Sequence, residues 1–240
     1  MKFPRALESG RLLRRYQRFL ADVKLDSGAI ITAACPNTGS LLGCNVPGSR
    51  VWLSASDRAT RKYRHTWELV EAHPDVIVGI NTGYPNRLVV EAIKAKVIQE
   101  LSGYREIKTE VRYGNENSRI DILLDCHRNK PPCYVEVKNV TAAVENGIAL
   151  FPDAVSERGS KHLRELMAMA AAGFRAVLVF CVQRGDVYNV RPADIIDPAY
   201  GKTLRQALAN GVHVLAYRAV ISPHEITLRE KIPVVCPELK

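Results

Sequence analysis

No stretch of this chain approaches the roughly 18 consecutive apolar residues of a membrane-spanning helix, and the opening Met1-Lys2-Phe3-Pro4-Arg5 leads into no apolar run of signal-peptide length. A cytoplasmic protein with no membrane partner is expected. The six cysteines (Cys35, Cys44, Cys126, Cys133, Cys181 and Cys236) form no C-x-x-C pair of the zinc-site kind and are too sparse for a disulfide framework, so reduced, buried thiols are expected. A dinucleotide glycine fingerprint and a phosphate loop are also missing, which leaves a small-molecule or sugar-responsive binding module without support. Internal repeats, low-complexity segments and blocks of like charge are absent, and with them any reason to expect long disordered tails. Asn139-Val140-Thr141 has the form of a glycosylation sequon, which carries no consequence without a secretory signal.

What is present is positive charge. Lys and Arg number 34 against 25 Asp and Glu, a net charge of +9 that attracts polyanions such as nucleic acid. At 240 residues the chain exceeds the usual single-domain size, and its patterning divides it into residues 1–82 and 83–240.

The first part holds short β-rich stretches at Phe19–Leu25, Ala29–Ala33, Arg50–Ser54, His65–Glu71 and Val76–Ile80, separated by the turn chemistry of Asp26-Ser27-Gly28, Asn37-Thr38-Gly39 and Pro47-Gly48. About five short strands suit a small barrel of the OB kind. The pattern then becomes helical from Asn86 to Leu101, with Gly103 as the stop. Strands are expected at Ile107–Tyr113, Arg119–Leu124 and Cys133–Val140, the first two joined through Gly114-Asn115. A helix at Ser160–Ala172 ends at Gly173, a continuous apolar strand runs over Arg175–Val182, and a short helix at Leu204–Ala209 and a strand at Val212–Tyr217 finish the unit. The fold class is α/β (α+β overall), a mixed sheet flanked by helices after a small barrel.

In Tyr134-Val135-Glu136-Val137-Lys138, strand alternation sends Glu136 and Lys138 to one face. Antiparallel pairing with the strand before it brings Asp121 beside Glu136. Two close carboxylates repel, and a hard divalent cation, Mg²⁺ or Mn²⁺, relieves the repulsion, so Asp121 and Glu136 are the candidate metal ligands. With Lys138 to orient a nucleophile or stabilise negative charge, such a group can cleave a phosphodiester. Glu91 on the preceding helix is a further candidate carboxylate, and Glu110 a less favoured one. The competing account is a solvated salt-bridge face, common for Glu and Lys two residues apart on a strand.

The order of elements around these residues, an acid-bearing helix, a meander and a second helix, resembles the PD-(D/E)xK nuclease core. The chain is similar, over nearly its whole length, to the sugar fermentation stimulation protein family. The likeness lies in Arg14-Arg15-Tyr16 with Arg18 to Val23, Cys35-Pro36-Asn37-Thr38-Gly39, Thr66-Trp67-Glu68-Leu69, Ser118-Arg119-Ile120-Asp121, Glu136-Val137-Lys138, Phe151-Pro152-Asp153-Ala154-Val155, Glu157-Arg158-Gly159 and Lys161 to Leu166. That resemblance implies an N-terminal OB-like barrel, a restriction-endonuclease-like C-terminal domain, sequence-nonspecific DNA binding and a regulatory link to sugar metabolism. One departure is Ala34, which stands where the family pattern has a histidine before Cys35, so no role of that histidine carries over.

DNA, single- or double-stranded, would meet the basic residues. Residues 1–80 hold twelve Lys or Arg against seven Asp or Glu. Arg11, Arg14, Arg15 and Arg18 surround Tyr16 and Phe19, and these two aromatics and Trp52 are candidates for base stacking, with burial in a core as the alternative. Arg58, Arg61, Lys62 and Arg64 form a second run that either straddles a phosphate backbone or is a solvated loop. At the start of the second helix, Arg158, Lys161 and His162 would face a phosphate at the helix N-terminus; otherwise His162 is a capping or surface residue. The function expected is a nonspecific DNA-binding protein with a metal-dependent nuclease site, against a non-catalytic transcriptional regulator on the same fold. A homodimer is compatible with either.

Overall fold

The computed structural model describes residues 1–114, 116, 118–144 and 147–238, with Val144 described by its backbone alone. Asn115 of the expected Gly114-Asn115 turn lies outside them. Strands β1 (Glu8–Tyr16), β2 (Leu20–Leu25), β3 (Ile30–Ala34), β4 (Arg50–Ala55) and β5 (His65–His73) pair in the order β3-β2-β1-β4-β5, and a parallel contact of β3 with β5 closes the ring. This is the five-stranded OB-like barrel. β6 (Val76–Gly79) extends it as a hairpin on β5. Leu12, Val23, Ala33, Val51, Leu53 and Trp67 fill its interior.

β1 was not among the expected strands. Its sequence, ESGRLLRRY, is largely polar, and a register shift between Leu12 and Arg14 breaks the alternation that would reveal it. Trp52 does not lie on a stacking face. It is 7% exposed and packs with Leu69 and Leu88, between the barrel and the second domain, so the core alternative holds for it.

The second domain is built on a six-stranded sheet of order β15-β14-β12-β9-β8-β7. β7 (Glu106–Tyr113), β8 (Ser118–Asp125) and β9 (Cys133–Val140) form the antiparallel meander; β9, β12 (Arg175–Val182) and β14 (His213–Ile221) run parallel; β15 (Ile226–Ile232) returns antiparallel at the edge. β12 is buried almost throughout, which accounts for its unbroken apolar run. The sheet continues past the expected final strand into β15, whose Arg229, Glu230 and Lys231 face solvent and mask its pattern. Three short strands, β10 (Ala143–Val144), β11 (Ile148–Phe151) and β13 (Asn189–Pro192), form a small separate sheet.

Helix α1 (Pro85–Lys94) lays Leu88, Val89, Ala92 and Ile93 on one face of the main sheet, each fully buried Leu or Ile contributing roughly 1.5–3 kcal/mol. It stops sooner than expected. Its cap at Ala95 is followed by Lys96 in the left-handed region (φ 57), and only a single 3-10 turn, Gln99–Leu101, resumes before Gly103. Helices α2 (Glu157–Ala171) and α3 (Pro198–Ala209) cover the other face through Leu163, Leu166 and Leu204. Their starts are tied together: Asp197 accepts the N–H of Tyr200 (2.9 Å) as cap of α3 and the N–H of Ser156 (2.8 Å), while the Ser156 hydroxyl caps α2 at Gly159 (3.0 Å). Among the described residues no helix is long and apolar enough to cross a membrane.

Candidate functional site

The site forms where the main sheet splits. β8 pairs with β9 through Leu124↔Cys133, Leu123↔Tyr134 and Ile122↔Val135, and the pairing ends there. The next residue of β8 is Asp121, in register with Glu136. Its Oδ2 accepts the N–H of Val137 (2.7 Å), so a side chain takes over where the ladder stops. On the other side of β8, Thr109↔Ile122 and Val111↔Ile120 leave Glu110 opposite Asp121, with Glu110 in the left-handed region (φ 55). The register on either side is one for one, so Glu110 is a local kink in β7 with no residue inserted. Asn86, on the first turn of α1, donates to Asp121 Oδ1 (2.9 Å) and reaches Glu110 (3.4 Å).

Glu136 is 1% exposed. Its Oε1 accepts from Lys138 Nζ (2.7 Å) and from His162 Nδ1, while its Oε2, buried as well, has no hydrogen-bond partner. His162 Nε2 faces Arg158 Nε (3.3 Å), while its Nδ1 lies against both Glu136 Oε1 and Lys138 Nζ (3.2 Å). His162 is therefore neither a cap nor a surface histidine. It is buried one turn inside α2, and Arg158 is its outer partner. Lys161 turns aside to the carbonyl of Glu116 at the tip of the β7–β8 hairpin. That hairpin is seated on α2: the N–H of Glu116 bonds Glu165 Oε1 (2.6 Å), and Gly114 (φ +71) lies so close to the Glu165 carboxylate that a Cβ there would collide with it.

The two acids are held at opposite poles. Burial, then the charge of Glu136, raises the carboxyl of Asp121 above the ordinary carboxylate range. Burial pulls Glu136 the same way, but the His162 hydrogen bond and the charge of Lys138 outweigh it and hold Glu136 below the ordinary range. The phenol of Tyr113, buried without a hydrogen-bond partner, is pushed up by burial and then by the charges of Glu136, Glu165 and Asp121. Negative charge is thus concentrated in a pocket with one lysine to balance it. A divalent cation fits this donor set: a buried carboxylate oxygen with nothing to accept from stands beside a second carboxylate whose proton affinity is already raised.

The structure brings together Asp121, Glu136, Lys138, His162 and Arg158, with Glu110 at the rim. Glu91 is not among them. Its carboxylate pairs with the Met1 amino group (2.8 Å) and with Arg87 (2.8 Å), because the face of α1 that carries it turns toward the chain start and not toward β8. Asn86, missed in the sequence, is the α1 residue that reaches the site. Glu165 and Tyr113 were missed too; nothing in their local patterns sets them apart from a helical surface acid and a strand aromatic.

The basic residues of the barrel divide into anchored and presented ones. Arg15 donates to the carbonyls of Arg18 (2.7 Å), Asn37 (2.9 Å) and Gly39 (2.7 Å), and so holds the Cys35–Ser40 segment in place instead of facing solvent. Arg14 pairs with Asp22 (2.8 Å) and lies over the Tyr16 ring, whose hydroxyl is also bonded to Asp22. Arg18 and Phe19 are exposed at the β1–β2 turn. In the β4–β5 loop Arg61 reaches Thr66 (2.9 Å) and Lys62 lies over the Tyr63 ring, with Arg58 and Arg64 exposed.

The comparisons with known proteins agree with this architecture. Residues 13–80 match the family model described as the SfsA N-terminal OB domain, and residues 83–225 match the sugar fermentation stimulation protein RE domain. The chain belongs to the sugar fermentation stimulation protein family. Curated members include the homologs of Geobacter metallireducens, 59% identical over 98% of this chain and 100% of the relative, and of Thioalkalivibrio sulfidiphilus, 58% identical over 98% of each. Among solved structures, Pyrococcus furiosus SfsA in complex with Ca²⁺ superposes with a TM-score of 0.86 at 30% identity, covering 98% of both chains. The OB-like barrel and the restriction-endonuclease-like mixed sheet are therefore the fold of the family.

Proposed function

We propose that this member of the family is a cytoplasmic, sequence-nonspecific DNA-binding protein with a phosphodiesterase site of nuclease type at Asp121, Glu136 and Lys138, dependent on Mg²⁺ or Mn²⁺. The observation that carries the reading is Glu136: a carboxylate 1% exposed, one oxygen of which has no partner, beside a second carboxylate and a lysine. The Ca²⁺ complex of the Pyrococcus furiosus relative supports a hard divalent cation. Asp121 and Glu136 would hold it. When bound, such a cation supplies Lewis-acid stabilisation to a phosphoryl group and an activated water.

The chain's own residues do the rest. Asn86 and the Val137 N–H fix the Asp121 carboxylate. Lys138, whose side chain is 12% exposed, keeps a positive Nζ beside Glu136 for the charge that develops on a phosphoryl oxygen. His162 orients Glu136 from behind, and Arg158 holds the ring. Arg18, Arg58, Arg61, Lys62 and Arg64 of the barrel's β1–β2 and β4–β5 turns would meet the phosphate backbone, as those turns do in OB folds. All six cysteines are free thiols, in keeping with a reducing compartment. The link to sugar metabolism rests on the relatives' name.

The test incubates purified protein with labelled single- and double-stranded DNA in Mg²⁺, Mn²⁺ or EDTA, beside an Asp121→Ala, Glu136→Ala double variant. Cleavage that needs the metal and is lost in the variant, with binding kept and falling steeply as salt rises, is the expected result. Binding without cleavage in any metal makes the chain a non-catalytic regulator on a nuclease fold. A flat salt response removes the phosphate-binding face.

A further inference from the structure

The barrel and the second domain enclose a polar cleft of about 300 Å³ between the Asn37-Thr38-Gly39 turn on one side and Asn139, Thr141 and the Phe151–Ser156 segment on the other. Its position relative to the acid site is set by the sheet. Asn139 directly follows Lys138 at the carboxyl end of β9, where β9 runs parallel to β12, and Ser156 caps α2, the helix that carries Arg158 and His162. Crevices at the carboxyl ends of parallel strands are where α/β sheets bind ligands.

Both walls are built. On the barrel side Arg15 holds the carbonyls of Asn37 and Gly39, the Asn37 side chain accepts the N–H of Gly39 (2.8 Å), and Thr82 bonds the carbonyl of Pro36 (2.8 Å). Across the cleft, Asp153 accepts from the Ser40 hydroxyl and the Leu41 N–H (3.2 Å each), so its charge is turned toward the barrel turn. Arg184, 2% exposed and paired with Asp186, donates to the Thr141 carbonyl (2.7 Å) from beneath. At the mouth stands Arg18. It and Gln17 both occupy the left-handed region (φ 64 and 49), a conformation that turns usually fill with Gly or Asn. The turn carries that strain with its backbone aimed so that Arg18 Nε bonds the Thr38 carbonyl (2.7 Å) and the rest of the guanidinium stays exposed at the rim.

Resting on the nuclease reading above, we infer that this cleft receives one unpaired nucleotide of the strand whose phosphodiester lies at Asp121, Glu136 and Lys138, with Arg18 on its phosphate, so that the substrate is single-stranded nucleic acid or a single-stranded end. The volume admits one base with its sugar and is too small for a base pair with two backbones. The lining joins hydroxyl and amide groups to the apolar Phe151 and Val155, with one cation at the rim and the Asp153 carboxylate bonded to the barrel turn, and so matches the edge and face of an unstacked base and a single phosphate.

The experiment measures binding by fluorescence anisotropy in Ca²⁺ and in EDTA, using labelled DNA as a single strand, a blunt duplex and a duplex with a single-stranded overhang, with an RNA strand of the same sequence as a further arm. Single strands and overhangs of either sugar should bind about tenfold or more tighter than the blunt duplex. Thr38→Trp, which fills the cleft from an exposed turn, should narrow that gap. Arg18→Gly should narrow it too without a large fall in melting temperature, because glycine accepts the left-handed backbone that arginine is strained to adopt. Equal affinity for blunt duplex and single strand, or a gap that survives Thr38→Trp, overturns the cleft assignment while leaving a DNA-binding protein. No binding to any of the four probes overturns both readings.

Discussion

Acids gather at two places along β8, its far end and its middle, and the two groups differ in everything but number. At the far end Glu106, Asp125 and Cys126 bring their ligand atoms within 4.8 Å of one another, close enough for a metal ion. Yet Glu106 is exposed, Lys108 lies 2.8 Å from Glu106 and 3.8 Å from Asp125, and the Cys126 N–H bonds Asp125 (2.7 Å). Water and a flexible lysine already meet the needs of those groups. At mid-strand Asp121, with Glu136 of β9 beside it, is shielded; their proton affinities are pushed in opposite directions, and one oxygen is left without a partner. Closeness of ligand atoms is common on a strand pair; a buried, under-served carboxylate is costly and calls for a ligand.

Three matched substitutions put that contrast to the test. The largest effect should come from Asp121→Asn with Glu136→Gln, which keeps shape and removes charge: the rise in melting temperature caused by millimolar Mn²⁺ or Ca²⁺ should vanish, whereas Glu106→Gln with Asp125→Asn should leave it intact. A cation-induced rise that follows the second pair would invert the assignment. Next, Lys138→Met should lower metal-dependent cleavage by about a hundredfold or more while calorimetry still finds the cation bound, and Lys108→Met should do neither.

The smallest effect concerns stability and pH in EDTA. The folded protein keeps the Asp121 proton to higher pH than the unfolded chain does, so stability falls as pH rises between the two values, and the ionised carboxylate is a liability at neutral pH. Asp121→Asn should therefore stabilise the metal-free protein at pH 7, seen as a higher midpoint in chemical denaturation. Glu136 has the opposite sign: its contribution is present above its unfolded value and is lost as pH falls through its lowered folded one. Asp125→Asn, at the cluster open to water, should change the midpoint little.

How much of this was legible in the sequence follows from how local each cause is. The i, i+2 spacing of Glu136 and Lys138 is a property of one strand, and the distance to Asp121 follows from one antiparallel register, so that trio could be read. β9 and β12 match their expected bounds, β12 because its apolar run is unbroken and β9 because Val135 and Val137 alternate with Glu136 and Lys138. Asn86 and His162 join the site through packing of separate helices on the two faces of the sheet. A helix register misjudged by a fraction of a turn hands the role to Glu91, as it did here. Likewise the run of arginines around Tyr16 reads as one basic face, yet tertiary contacts divide it into Arg15, spent on backbone carbonyls, and Arg18, left at the surface.

The ladder bond that Asp121 takes over from the sheet couples the main chain to the chemistry. The Val137 N–H is bonded to the very carboxylate that changes charge when it gains a proton or a cation. The resonance of that single amide is thus an internal gauge of the site's ionic state, legible with no substrate present and at a residue whose side chain takes no part.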